Sequence, residues 1–135
     1  GDSEVPLWSR ATVAGFTVDE LERLTGRRIA NRERFFAQVR EAAQEVISRK
    51  GATYYAIGVV LRRILEAILN DERSVLTVSG LLEGEYGFRD VCFSLPTVLG
   101  RRGREQVLSP PLPPDEMEAL AASASLLAGL SPLAR

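Results

Sequence analysis

Thr53 and Ile57 stand four residues apart in Lys50-Gly51-Ala52-Thr53-Tyr54-Tyr55-Ala56-Ile57-Gly58. That spacing predicts one shared face on the first turn of a helix. Taken alone, the nine residues read as a helix joint with Thr53 as its cap, the hydroxyl near backbone donors that lack intrahelical partners. Cys92 is the one thiol. No base or cation pattern beside it would form the thiolate, so it reads as a packed side chain and not a nucleophile. Asp71 with Glu72, and Asp115 with Glu116, fall at expected helix ends, where capping explains them. Glu83-Gly84-Glu85 reads as a turn.

The 135 residues include no histidine, the side chain that most readily moves a proton near neutral pH. Ser-His-Asp, Cys-His and histidine-based metal sites therefore cannot be assembled from this chain alone. Neither a P-loop nor a G-x-G-x-x-G fingerprint occurs. Hydrophobic residues make up 45% and the net charge is -1. That is ordinary globular composition, without the basic stripe of a nucleic-acid binder. No apolar run approaches the ~20 residues needed to cross a bilayer. The length suits one domain, and the single cysteine points weakly to a reducing compartment.

The elements that position these residues follow from periodicity. Phe35, Val39, Ala42, Val46 with Phe36, Ala43, Ile47 predict a buried stripe on a helix from Arg32 to Arg49, capped by Asn31. Ile57, Leu61, Ile64, Ile68 with Val60, Leu65, Leu69 predict a second from Tyr54 to Leu69. Gly51 between them predicts a kink or a restart. Upstream, Thr17-Val18-Asp19-Glu20 has capping-box spacing for a short helix to about Leu24. The first fifteen residues, lacking an initiator Met, read as the interior of a longer polypeptide, with Trp8 and Val13 at packed positions.

From Ser74 the period becomes two, with Leu76, Val78 and Leu82 on one face of a strand. A turn bracketed by Gly84 and Gly87 leads to a second strand at Asp90 to Leu95, Val91 and Phe93 alternating with Cys92 and Ser94. Pro96 predicts an edge or a bulge. Gly100 to Gly103 turns into a short strand at Glu105 to Leu108. Pro114 opens a last helix with Met117, Leu120, Ala124 and Leu127 buried and Gly129 as its cap. Helices, antiparallel strands and a helix, in that order, make an α+β chain.

Four blocks carry a resemblance: Gly1 to Ser9 (GDSEVPLWS), Lys50 to Gly58 (KGATYYAIG), Leu76 to Gly87 (LTVSGLLEGEYG) and Asp90 to Gly100 (DVCFSLPTVLG). Together they resemble the C-terminal, substrate-binding half of the NAD-dependent L-lactate dehydrogenases, bacterial in type, from Gly1 to about Leu127. The resemblance implies a long kinked helix pair packed on a small antiparallel sheet with a C-terminal helix. It implies one substrate-binding domain over residues 1–135, with the NAD-binding Rossmann domain upstream. The catalytic histidine would immediately precede Gly1, so no catalytic residue is expected in this chain, and no metal. Thr53 would line the pocket of pyruvate or L-lactate, and Ile57 would pack on the nicotinamide of NAD. Ala42 and Ala43 are further pocket candidates, with core packing an equal explanation. A cytoplasmic homotetramer at the fermentative end of glycolysis, without nucleic-acid or membrane partners, would follow.

Two alternatives stay open: a malate or other 2-hydroxyacid dehydrogenase of the superfamily, and a non-catalytic assembly module. Malate enzymes of the related type commonly carry alanine and proline at positions 53 and 57, so Thr53 and Ile57 favour lactate. Gly80, where relatives often have threonine, and Pro113, where a serine cap is usual, depart from the pattern.

Overall fold

The computed structural model describes residues 3–28 and 31–130. These form two compact units, one running to Thr53 and including Leu112–Leu120, the other Tyr54–Pro111 with the chain from Ala121 onward.

The first unit contains a small hairpin, β1 (Thr12–Val13) and β2 (Phe16–Thr17), followed by helices α1 (Val18–Thr25) and α2 (Arg32–Lys50). Thr17 and Glu20 form the expected capping box. The Glu20 amide donates to Thr17 Oγ1 at 3.2 Å, and the Thr17 amide donates to Glu20 Oε2 at 2.8 Å. Asn31 Oδ1 accepts from the Arg34 amide at 3.0 Å and starts α2 as its sequence predicts. At the far end Gly51 adopts φ 79°, a left-handed conformation that a side chain would resist. The joint is thus a restart and not a kink.

Two expectations fail in this unit. Val13 is 50% exposed, because its two-residue strand pairs only with Phe16 and has nothing beyond it as cover. The apolar stripe of α2 is not buried either: Phe35 is exposed, as are Val39, Ala42, Ala43, Val46 and Ile47, and no α2 residue is buried. Periodicity marks a face that requires cover without saying what covers it. An eight-residue α1 and two-residue strands are too small to shield a nineteen-residue helix.

The second unit holds α3 (Tyr54–Leu69) and a three-stranded antiparallel sheet in the order β3 (Ser74–Glu83), β4 (Arg89–Gly100), β5 (Gly103–Val107). β4 is longer than predicted and alternates strictly. Val91, Phe93, Leu95, Thr97 and Leu99 are buried, and α3 packs on this strand with Ala67 fully enclosed. Each buried Val, Leu or Phe contributes roughly 1.5–3 kcal/mol by leaving water. On the opposite face of β4 Cys92 is exposed, so the packed thiol expected from sequence is corrected by strand parity. The first turns of α3 are bare as well, with Ile57 and Leu61 each 53% exposed, while its buried residue, Ala67, lies in a later turn.

Pro96 lies in the central strand, opposite Thr77, and not on an edge strand. Its carbonyl accepts from the Leu108 amide at 2.8 Å, so its nitrogen faces β5 just past the last paired residue, Val107. Pro96 cannot return the second bond of that pair, and the ladder stops there. Gly80 lies against a side chain of β5. A side chain would occupy the space of the Arg104 guanidinium, which donates to the Leu81 carbonyl at 2.7 Å.

The last helix, α4 (Pro114–Leu130), begins with the Pro113 carbonyl accepting from the Met117 amide at 3.0 Å. Leu120 and Ala124 are buried as the stripe predicts. Gly129 is inside the helix and not its cap, since helical geometry continues to Leu130.

Candidate functional site

In the first unit an open cleft of ≈ 410 Å³ lies among the segment Val5–Ser9, the starts of α1 and α2, and the first turn of α4. Val5, Pro6, Trp8, Pro113 and Ala119 give it an apolar lining, and Asp19, Arg32, Asp115, Glu116 and Ser9 a polar one. Most of that polarity is already matched. The Ser9 amide donates to Glu116 Oε1 at 2.8 Å and the Ser9 hydroxyl to Oε2 at 2.5 Å. Arg32 donates to Asp19, lies 3.8 Å from Glu22, and rests over the Trp8 ring at 5.9 Å. The Asp19 bond is the main reason the guanidinium is held above its ordinary pKa. Charge matched in this way organises a loop and supplies no acid or base for a reaction.

The sequence candidates are found elsewhere. Thr53 is half-buried and is the last residue before α3. Ile57, in the first turn of α3, keeps 53% of its surface exposed. Ala42 and Ala43 are exposed on α2. Gly1, the expected neighbour of a catalytic histidine, lies outside the described residues. Among the described residues no group of three or more His, Cys, Asp or Glu is placed to hold a metal ion, and no helix is long and apolar enough to cross a membrane.

The Ser9–Glu116 pair escaped sequence reasoning. Glu116 reads as an ordinary first-turn acid, and nothing in a single sequence ties it to a serine 107 residues away.

A short antiparallel sheet under one helix, a second long helix joined through Gly51, and a terminal helix after a proline-rich tether define a recognisable domain. The profile of the lactate/malate dehydrogenase α/β C-terminal domain matches residues 1–130, and the chain belongs to that family. It is 55% identical over 129 residues to an L-lactate dehydrogenase of Nitratidesulfovibrio vulgaris (strain DP4), covering 94% of this chain and 42% of the relative. An L-lactate dehydrogenase of Acetivibrio thermocellus (strain ATCC 27405) is 44% identical over 129 residues, 94% of this chain and 41% of its own length. Among solved structures, the minor L-lactate dehydrogenase of Enterococcus mundtii superposes with a TM-score of 0.87 at 37% identity, over 96% of this chain and 42% of that one. The chain therefore spans about two fifths of the length of the relatives it matches.

Proposed function

We propose that this chain is the C-terminal, substrate-binding part of an NAD-dependent L-lactate dehydrogenase. The observation that carries the reading is the 55% identity, sustained over nearly the whole chain, to a protein of that name. In the full-length protein an upstream Rossmann domain binds NAD, and a histidine immediately before Gly1 donates the proton that completes pyruvate reduction. NADH, when bound, supplies the hydride.

The roles of this chain's own residues are those the resemblance implies, and their chemistry fits them. The Thr53 hydroxyl hydrogen-bonds the polar end of pyruvate or L-lactate, fixing its orientation at a partly dry site. The Ile57 side chain packs on the nicotinamide ring and keeps water from the hydride path. Its exposure in the first turn of α3 supports that role, as does the exposed apolar stripe of α2 for burial in a larger assembly. The assembly is a homotetramer in the cytoplasm, serving the fermentative end of glycolysis.

The test is the full-length protein assayed with NADH against pyruvate and oxaloacetate. A kcat/KM favouring pyruvate is expected. Preference for oxaloacetate would make it a malate dehydrogenase, and turnover of neither would leave the assembly module.

A further inference from the structure

We infer that Glu116 is a positioning residue for the proton donor: its carboxylate clamps Ser9 and so fixes the segment that leads back to Gly1. The inference rests on the dehydrogenase reading, which puts a histidine immediately upstream of that segment.

Both oxygens of one carboxylate are engaged on one residue. Oε1 takes the Ser9 amide at 2.8 Å and Oε2 the Ser9 hydroxyl at 2.5 Å, in a partly buried setting. Two parallel charge-assisted bonds fix direction as well as distance. A first-turn acid ordinarily serves its own helix, but α4 already has Asp115 at that end, and Glu116 reaches across to a loop. The loop has little room to slide. The Trp8 amide donates to the Pro6 carbonyl at 3.1 Å, the Arg10 amide to Leu7 at 3.0 Å, and the Ala11 amide to Trp8 at 3.2 Å. Trp8 is itself covered by Arg32, which Asp19 holds. Residues 5 to 9 are thus pinned from α2 on one side and α4 on the other. Releasing the Glu116 side frees the chain that leads to the donor, and a small misplacement of a reacting group is costly in rate.

Pyruvate reduction by the full-length protein tests this. Glu116→Ala should lower kcat about ten- to a hundredfold with KM for pyruvate changed by less than about twofold. Glu116→Gln, whose amide oxygen still accepts from the Ser9 amide, should recover most of that loss. Ser9→Ala should cost less than Glu116→Ala, and the double variant no more, because the two residues form one link. Glu118→Gln, exposed on the same helix, should match the parent. Hydrogen exchange at the Ser9 amide should quicken in Glu116→Ala. If that variant does not fold, Glu116→Gln and Ser9→Ala decide the matter, Gln being expected near the parent and Ser9→Ala below it. Parent-like kcat in Ser9→Ala, additive losses, or a glutamine variant as slow as alanine would each overturn the inference. An inactive parent would instead sink the dehydrogenase reading and this inference with it.

Discussion

A threonine hydroxyl replaced by the methyl of valine keeps its shape and loses one polar contact. In the full-length protein Thr53→Val should therefore lower kcat/KM for pyruvate by roughly ten- to a hundredfold, from ~1–3 kcal/mol. Unchanged steady-state kinetics would remove Thr53 from the site. The residue scale is where sequence and structure diverge most. Thr53 and Ile57 were singled out by the resemblance that Lys50 to Gly58 carries, and their hydroxyl and branched aliphatic types agree with the roles it implies. Val13 and Cys92 carried only a hydrophobicity, and hydrophobicity does not tell which face of a strand is covered. Cys92 is exposed because Val91 and Phe93, its neighbours, are the ones turned inward.

Helix ends were legible because their chemistry is local. Thr17, Asn31 and Gly51 each act within a few residues of themselves, and each is where the spacing puts it. Thr17→Ala should cost about 1 kcal/mol in chemical denaturation. The same cap has a pH signature. Hydrogen bonds from the Thr17 backbone, and then its hydroxyl, hold the Glu20 carboxyl below its ordinary value of 4.5. Its folded pKa being depressed, the stabilisation is present above the ordinary value and disappears as pH falls through the lower, folded one. Denaturation midpoints followed from about pH 6 down to about pH 3 should show a smaller acid loss in Thr17→Ala than in the parent. The length of β4 was not legible, because Pro96 suggests an end, and only the Leu108 contact reveals how the strand continues past it. Leu95, 2% exposed on that strand, should lose about 2–5 kcal/mol on replacement by alanine, measured as a shift in denaturant midpoint at constant slope.

At the scale of the whole molecule, much apolar helix surface is uncovered: Phe35 and Val39 on α2, Val60, Leu65 and Leu69 on α3. Isolated in solution, the 135-residue chain should self-associate, and light scattering at ~100 µM should report species larger than a monomer. It should also show no pyruvate reduction with NADH, since its sequence holds no histidine to give a proton. Turnover by the purified chain would contradict the assignment of the donor. The α+β class was readable from periodicity, because the helical repeats and the strand repeats fall in separate uninterrupted runs. The cover those repeats require was not, since it depends on partners the periodicity does not name.

Pro96 has one more consequence. Past the bond from the Leu108 amide to its carbonyl, the sheet lets go of the chain, and the proline-rich stretch toward α4 starts from that point. Valine at 96 would restore a donor, zip one further rung, and take slack from the tether. A single missing hydrogen thus sets the length of leash on which the terminal helix is carried.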